Sequence, residues 1–436
     1  MTANDESVMR RLNSSDVEFS EVLRALLDRD ESEHQQTEDS VREIITSVRK
    51  QGDRALIELT NRFDRRAIVN AEELVITSEQ MGAYIGLIED DQRAAIQVAA
   101  DRIREFHEHQ RESSWSYKDS YGSNLGQIVT PINKVGVYVP GGKAAYPSSV
   151  LMNIIPAKVA GCGDITMVVP APDGVVNSMV IAAAAVAGAD RIFTIGGAQA
   201  VAALAYGTQS ISAVDKIVGP GNIFVATAKR QVFGKVGIDM VAGPSEVLII
   251  ADETANPEWI AMDLFAQAEH DEMAQSILIS PSKTLIDAVE KEILETLPSM
   301  QRRSIIAGSL RGNGALIKVR DMQEAADISN LVAPEHLELQ VADTETLLPL
   351  IHHAGAIFSG YFSAESLGDY CLGPNHVLPT AGTARFSSPL GVYDFQKRSS
   401  IINCSRLGAK TLAKTASCLA RSEQLEAHAR SAELRQ

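Results

Sequence analysis

Over the first hundred or so residues, apolar positions recur at spacings of three and four in segments 21–28, 40–51 and 91–113. Helices that bury one face leave this trace. The spacing predicts packing helices, with an arm at the extreme N-terminus. From Lys134 the pattern changes to short β-branched runs alternating with Ala-rich helical runs: 135–139 then 148–160, 165–169 then 179–187, 191–195 then 198–206, 217–218 then 223–233. A second series follows Gly243, with predicted strands at 246–251, 276–280, 315–319, 337–341 and 356–359 and predicted helices at 257–268, 285–297, 322–331 and 344–353. Such βα alternation predicts an α/β fold with two similar, incomplete, doubly wound (Rossmann-like) domains and a crevice between them. Ligands of such sheets bind outside the carboxyl ends of the strands. The expected division is an N-terminal helical arm (1–30), one αβ domain from 31–133 and 244–387, a second from 134–243, and a C-terminal helical tail (388–436). That tail is predicted mostly helical and lacks an evident core, so it is expected to pack on something else, such as a partner subunit.

Composition narrows the function. The chain of 436 residues is 45% hydrophobic and 22% charged, enough for at least two cores. Its formal net charge of -16 argues against nucleic-acid or anionic-membrane partners, whose surfaces reward basic patches. Cys162, Cys371, Cys404 and Cys418 form no C-x-x-C pair, which signals neither a disulfide framework nor a thiolate zinc site. A charged N-terminus without an apolar run, and no stretch long and apolar enough to span a bilayer, predict a cytoplasmic protein.

The candidate chemistry centres on Glu335-His336, a carboxylate beside an imidazole just after Pro334, where a helix cannot simply continue. Gln267-x-x-His270 falls on a predicted helix with both side chains on one face. Imidazole and carboxylate suit zinc, an amide oxygen less so. By itself that pair also reads as polar surface, and Asp369, beside Gly368, as a turn residue. Gly-rich turns at 140–142, 196–199 and 219–222 follow predicted strands. Their free N–H groups can face a phosphate, although each is equally an ordinary strand-to-helix turn. None is a dinucleotide fingerprint, because Phe224 stands where G-x-G-x-x-G needs its third glycine, and no Walker A lysine pattern exists. His34, His107, His109, His352 and His353 are read as structural or solvated.

Seven motifs are shared with one known family: Val137-Tyr138-Val139-Pro140-Gly141-Gly142, Ala144-Ala145-Tyr146-Pro147-Ser148-Ser149, Gly219-Pro220-Gly221-Asn222, Ala242-Gly243-Pro244-Ser245-Glu246, Gln267-Ala268-Glu269-His270, Ala333-Pro334-Glu335-His336 and Gly373-Pro374-Asn375-His376. Together they closely resemble histidinol dehydrogenase over nearly the whole chain. The resemblance implies a zinc- and NAD-dependent enzyme that oxidises L-histidinol to L-histidine through a bound aldehyde, the last step of histidine biosynthesis. It implies zinc ligands Gln267, His270, Asp369 and His428, the last donated by the tail of the other subunit of an intertwined homodimer. The domain formed by 31–133 and 244–387 would carry most of this site. It implies further that Ser245, Glu335, His336, His376 and Glu423 contact the substrate or carry the proton chemistry, and that Tyr138, Gln199 and Asn222 line the NAD site.

Residue chemistry supports the roles independently. An imidazole is the side chain best matched to take a proton at neutral pH as hydride leaves, which suits His336. A neighbouring carboxylate can deprotonate the water that adds to the aldehyde, which suits Glu335. A cysteine thiohemiacetal is the other chemical route. Only Cys371 lies near a proposed ligand, and none of the thiols is expected to be essential. The competing readings are a zinc hydrolase, which lacks its usual H-E-x-x-H helix here, an imidazole-capturing binding protein, and a relative that oxidises another alcohol such as a sulfonated diol.

Overall fold

The computed structural model describes residues 8–28, 34–141 and 146–436. Residues 1–7 of the expected arm, Gly142, Ala144 and Ala145 of the quoted motifs, and the His34 side chain lie outside the described residues.

Three sheets organise the chain. The first is wholly parallel, in the order β1 (Arg10–Asn13), β12 (Ala315–Lys318), β11 (Gln275–Ser280), β10 (Glu246–Ala251), β13 (His336–Gln340), β14 (Ala356–Ser359). The second runs β2 (Val75–Ile76), β7 (Arg191–Phe193), β6 (Asp164–Val168), β5 (Lys134–Tyr138), β8 (Lys216–Val218), β9 (Gly237–Ile238), parallel except for the β2 edge. In both, strand order reverses beside the first strand of the βα series, between β10 and β13 and between β5 and β8, as in a doubly wound fold. A third, antiparallel sheet joins β15 (Gln396–Asn403), β4 (Asn124–Pro131) and β3 (Trp115–Lys118).

Local chemistry explains the elements. β10 and β11 are buried at every position, as strands covered by helices on both faces must be. Asn177, Asn222 and Asn256 each cap the following helix with a side-chain oxygen, and Pro257 occupies the first turn where its missing N–H costs nothing. Gly188, at φ +90°, ends the helix Ser178–Ala187 in the left-handed conformation that glycine accepts most readily.

Several expectations change. The N-terminal segment is not a free arm: β1 pairs with β12, and Leu23 and Leu26 of helix Phe19–Leu27 enter the same core as Leu248 and Ile250. Residues 34–108 pack on the second sheet, with Val41, Leu56, Leu74, Ile96 and Ile103 in its cores and β2 paired to β7, whereas the sequence reading grouped 31–133 with 244–387. Both misreadings share a cause, since helical periodicity shows that a face is buried and not which sheet buries it. The stretch 396–403, expected to be helical, forms β15 along β4. Its alternation is blurred because the strand is nowhere fully buried. The helix expected at 344–353 stops as α-helix at Leu347 and continues as a short 3-10 turn, Leu348–Leu350. Pro349 can supply no N–H to prolong it.

Candidate active site

Glu335 and His336 meet at the amino edge of the first sheet, not at the carboxyl edge that the sequence pattern predicts. His336 opens β13 and pairs in register with Val247. The backbone of Glu246, at the start of β10, holds both residues: its N–H donates to Glu335 Oε2 at 2.9 Å, and its carbonyl lies 3.0 Å from His336 Nδ1. A carbonyl can only accept, so Nδ1 carries the proton and Nε2 is the free nitrogen. Nε2 is buried without a hydrogen-bond partner, 3.5 Å from Asp369 Oδ1.

The other elements return to the same edge. Helix Pro257–Ala268 delivers Gln267 in its last turn, and His270 follows in a bend just past the helix end. The chain after β14 doubles back through 361–376, carrying Glu365, Asp369 and His376. Ligating atoms of His270, Glu365 and Asp369 all lie within 4.8 Å of one another, close enough to share a metal ion. The Gln267 side chain is fully buried, yet neither its amide oxygen nor its nitrogen has a partner among the described residues. Such a group costs about 1–3 kcal/mol unless something binds it, which fits a coordinating role.

Electrostatics follow from this crowding. Burial pushes Glu335 up to about 8, against the attraction of His336. Burial would lower His336, but Glu365, Glu335 and Asp369 around it raise it well above its ordinary value. Burial likewise raises Glu365. Asp369 also feels burial, but the neighbouring His336 imidazole holds its carboxyl below the usual range. His270 keeps a solvent-facing edge, yet crowding by neighbouring atoms lowers its pKa, as it does for His376.

The second sheet faces this cluster with its carboxyl edge. Ser149, in the first turn of helix Pro147–Ala160, reaches within 3.4 Å of His376 Nε2, while His376 Nδ1 meets the Asp369 carbonyl at 3.0 Å. Ser245, half-buried, immediately precedes β10. Tyr138, at the end of β5, is buried and accepts a hydrogen bond from Gly197 N–H at 3.0 Å, and burial pushes its phenol up to about 12. Gln199 is buried beside it in helix Gly197–Tyr206. Asn222 spends its side-chain oxygen capping helix Ile223–Val232. Glu423 and His428 are exposed in the C-terminal helical pair Arg406–Ser422 and Glu426–Glu433. Among the described residues, no hydrogen bond or ion pair joins either of them to the cluster.

Sequence reasoning missed three contributors, Glu365, Glu338 and Asp263. Glu365 is buried against His336, 4.0 Å from Nδ1. Its N–H donates to Glu338 Oε1 at 3.0 Å, and Glu338 is paired with Asp263. A signal for Glu338 existed: the alternation His336-Leu337-Glu338-Leu339-Gln340 puts Glu338 on the same strand face as the imidazole. His107, read from its charged surroundings as a solvated or structural residue, is fully buried. Its Nδ1–H donates to the Ile103 carbonyl and its Nε2 faces Asn375, the residue before His376.

Burial, followed by the charge of Glu338, pushes the Asp263 carboxyl up to about 8. An unfolded Asp releases its proton near pH 4. Between those limits the folded state binds the extra proton, so stability falls as pH rises toward 8. Asp263→Asn, which keeps a donor toward Glu338, is expected to flatten that decline when melting temperature is followed from pH 5 to 9. Parallel curves for variant and wild type would contradict a proton held between Asp263 and Glu338.

A doubly wound pair of sheets, joined at a cleft that holds a buried histidine, three carboxylates and a set of groups able to bind a metal, defines an α/β enzyme equipped for proton transfer. Comparison with known proteins narrows that class. The family model for histidinol dehydrogenase matches residues 27–436. A histidinol dehydrogenase of Pseudomonas aeruginosa is 59% identical over 427 residues, covering 98% of this chain and 97% of its own. One from Chromobacterium violaceum is also 59% identical, with 98% of each chain covered. The crystal structure of histidinol dehydrogenase from Elizabethkingia anophelis superposes with a TM-score of 0.93 at 34% identity, covering 98% of both chains. The chain belongs to the histidinol dehydrogenase family. Among the described residues, no helix is long and apolar enough to cross a membrane.

Proposed function

We propose that this enzyme oxidises L-histidinol to L-histidine through bound L-histidinaldehyde, in two hydride transfers to NAD, as the last step of histidine biosynthesis in the cytoplasm. The observation that carries the reading is the Glu335-His336 pair, buried beside a set of groups suited to a metal. Gln267, His270 and Asp369 would hold zinc. The unpartnered amide of Gln267 and the convergence of His270 with Asp369 support that assignment. When bound, zinc supplies a nitrogen-seeking grip on the imidazole and amine of the substrate, and NAD supplies the hydride acceptor.

The chain's own residues do the rest. With Nδ1–H fixed on the Glu246 carbonyl, His336 presents Nε2 to take the alcohol proton as hydride departs. The carboxylates that raise His336 are those a cation would neutralise, so its action as a base goes with a filled site. Glu335, poised near pH 8 by burial, accepts a proton from the water that adds to the aldehyde and passes protons with His336, 3.7 Å away. His376, Ser245 and Glu423 orient the substrate. Holding the aldehyde in place through both steps keeps the second reaction effectively unimolecular.

Glu423 and the fourth ligand, His428, would reach the site from the partner subunit of a homodimer. Exposed Leu407, Leu419, Ile402 and Leu434 on the tail support burial against a second chain. Tyr138, Gln199 and Asn222 would form the NAD site at the carboxyl edge of the second sheet. The test is NADH formed per L-histidinol consumed, with the final product identified. Two NADH and L-histidine are expected. One NADH with released aldehyde would remove the second oxidation, and no NADH would refute the reading.

A further inference from the structure

Where the second sheet reverses its strand order, between β5 and β8, a buried ion pair grips the backbone of one residue on both sides of its Cα. Gly219 follows β8 and adopts φ +110°. A Cβ built there would stand 2.0 Å from the carbonyl oxygen of Tyr138, so only glycine fits at this crossing of the two strand ends. The Gly219 N–H donates to Asp239 Oδ2 at 2.8 Å. Its carbonyl accepts from Lys229 Nζ at 2.9 Å. Lys229 and Asp239 also pair with each other, their side chains 4% and 1% exposed.

The grip joins three elements beside the end of β5: Lys229 comes from helix Ile223–Val232, Asp239 follows β9, and Gly219 follows β8. Three residues past Gly219, Asn222 caps that same helix, so the turn Gly219–Asn222 is fixed at both ends. Stability is a poor explanation for such a pair. Desolvating two charges offsets most of their attraction, and apolar residues of similar volume commonly serve as well. What a charged pair gives and an apolar pair cannot is a fixed orientation for the two successive peptide planes that flank Gly219.

We propose that Lys229 and Asp239 are positioning residues that set the Gly219–Asn222 turn for binding the dinucleotide. The proposal rests on the reading of this edge as the NAD site. Neither side chain touches the cofactor. Both act through the Gly219 backbone, whose displacement would carry Asn222 and the start of its helix away from Tyr138.

The experiment compares wild type with the double variant Lys229→Met with Asp239→Leu, which removes both charges together and leaves neither unpaired in the interior. Lys229→Arg, which keeps the charge, is the second variant. KM for NAD, KM for L-histidinol, kcat and melting temperature are measured on the full-length enzyme. With two charge-assisted hydrogen bonds lost from the turn, KM for NAD is expected to rise about 10-fold or more in the double variant, with KM for L-histidinol unchanged. Lys229→Arg is expected to recover most of the NAD affinity. An unchanged KM for NAD in a folded double variant would overturn the proposal, as would a fall in melting temperature and kcat alone, which marks a purely structural pair. Should the double variant fail to fold, wild-type NAD affinity and melting temperature in Lys229→Met alone would also overturn it. A wild-type rate that does not saturate with NAD would sink the underlying reading, and the proposal with it.

Discussion

Glu335→Gln is expected to slow oxidation of L-histidinaldehyde by about 10²–10⁴-fold, the range for a lost general base, and to slow oxidation of L-histidinol much less. The substitution is nearly isosteric. Glutamine can still accept the Glu246 N–H through its amide oxygen, so the turn between Pro334 and β13 keeps its shape. What disappears is a carboxylate that can take a proton. Because Glu335 is only 6% exposed, bulk water cannot readily substitute for it. The two half-reactions can be started separately, from alcohol and from aldehyde, and followed in single turnovers. Equal slowing of both would assign Glu335 to the architecture of His336 and not to the water-addition step.

Removing the metal is expected to abolish binding of L-histidinol while the protein stays folded. His270→Ala and Asp369→Asn should each lower turnover by at least about 100-fold, since changes even to groups that merely support metal ligands cost 10- to 100-fold. Folding should survive because these side chains sit at the cleft between the two sheets and outside the four apolar clusters that form the cores. Metal content, titration with L-histidinol and circular dichroism on the same samples decide the matter. Full turnover in metal-free protein would contradict the assignment, and unfolding on chelation would recast the site as structural.

Much of this architecture was legible in the sequence. The βα alternation placed nine of the twelve strands of the two six-stranded sheets, missing β1, β2 and β9, because short β-branched runs between Ala-rich helical runs mark buried strands. Glu335-His336 stood out as polar residues between a proline and such a run. The edge of the sheet did not. Strand propensity carries no direction, and only the long return through 361–376 brings Asp369 and Glu365 back to the start of β13. Glu365 was invisible for the same reason, its partners being 27 and more residues away in sequence. The fate of β1 was equally hidden, since four residues that are polar or half-exposed, Arg10–Asn13, give no periodicity to read. Glu423 and His428 show the opposite limit. Motif resemblance gives them a role, while among the described residues no hydrogen bond or ion pair joins them to the site.

The placement of β1 bears on how the molecule is made. Ser14, just past β1, hydrogen-bonds Glu324 across 310 positions of sequence, and almost all of the second sheet's unit lies between them. A ribosome adding 5–20 residues per second would leave the first strand waiting roughly 15–60 s for its neighbour. In that interval the intervening unit can assemble most of its core, while the apolar Leu23 and Leu26 remain uncovered. The active-site cleft thus depends on a late arrival: its first sheet closes only after its far edge has been synthesised.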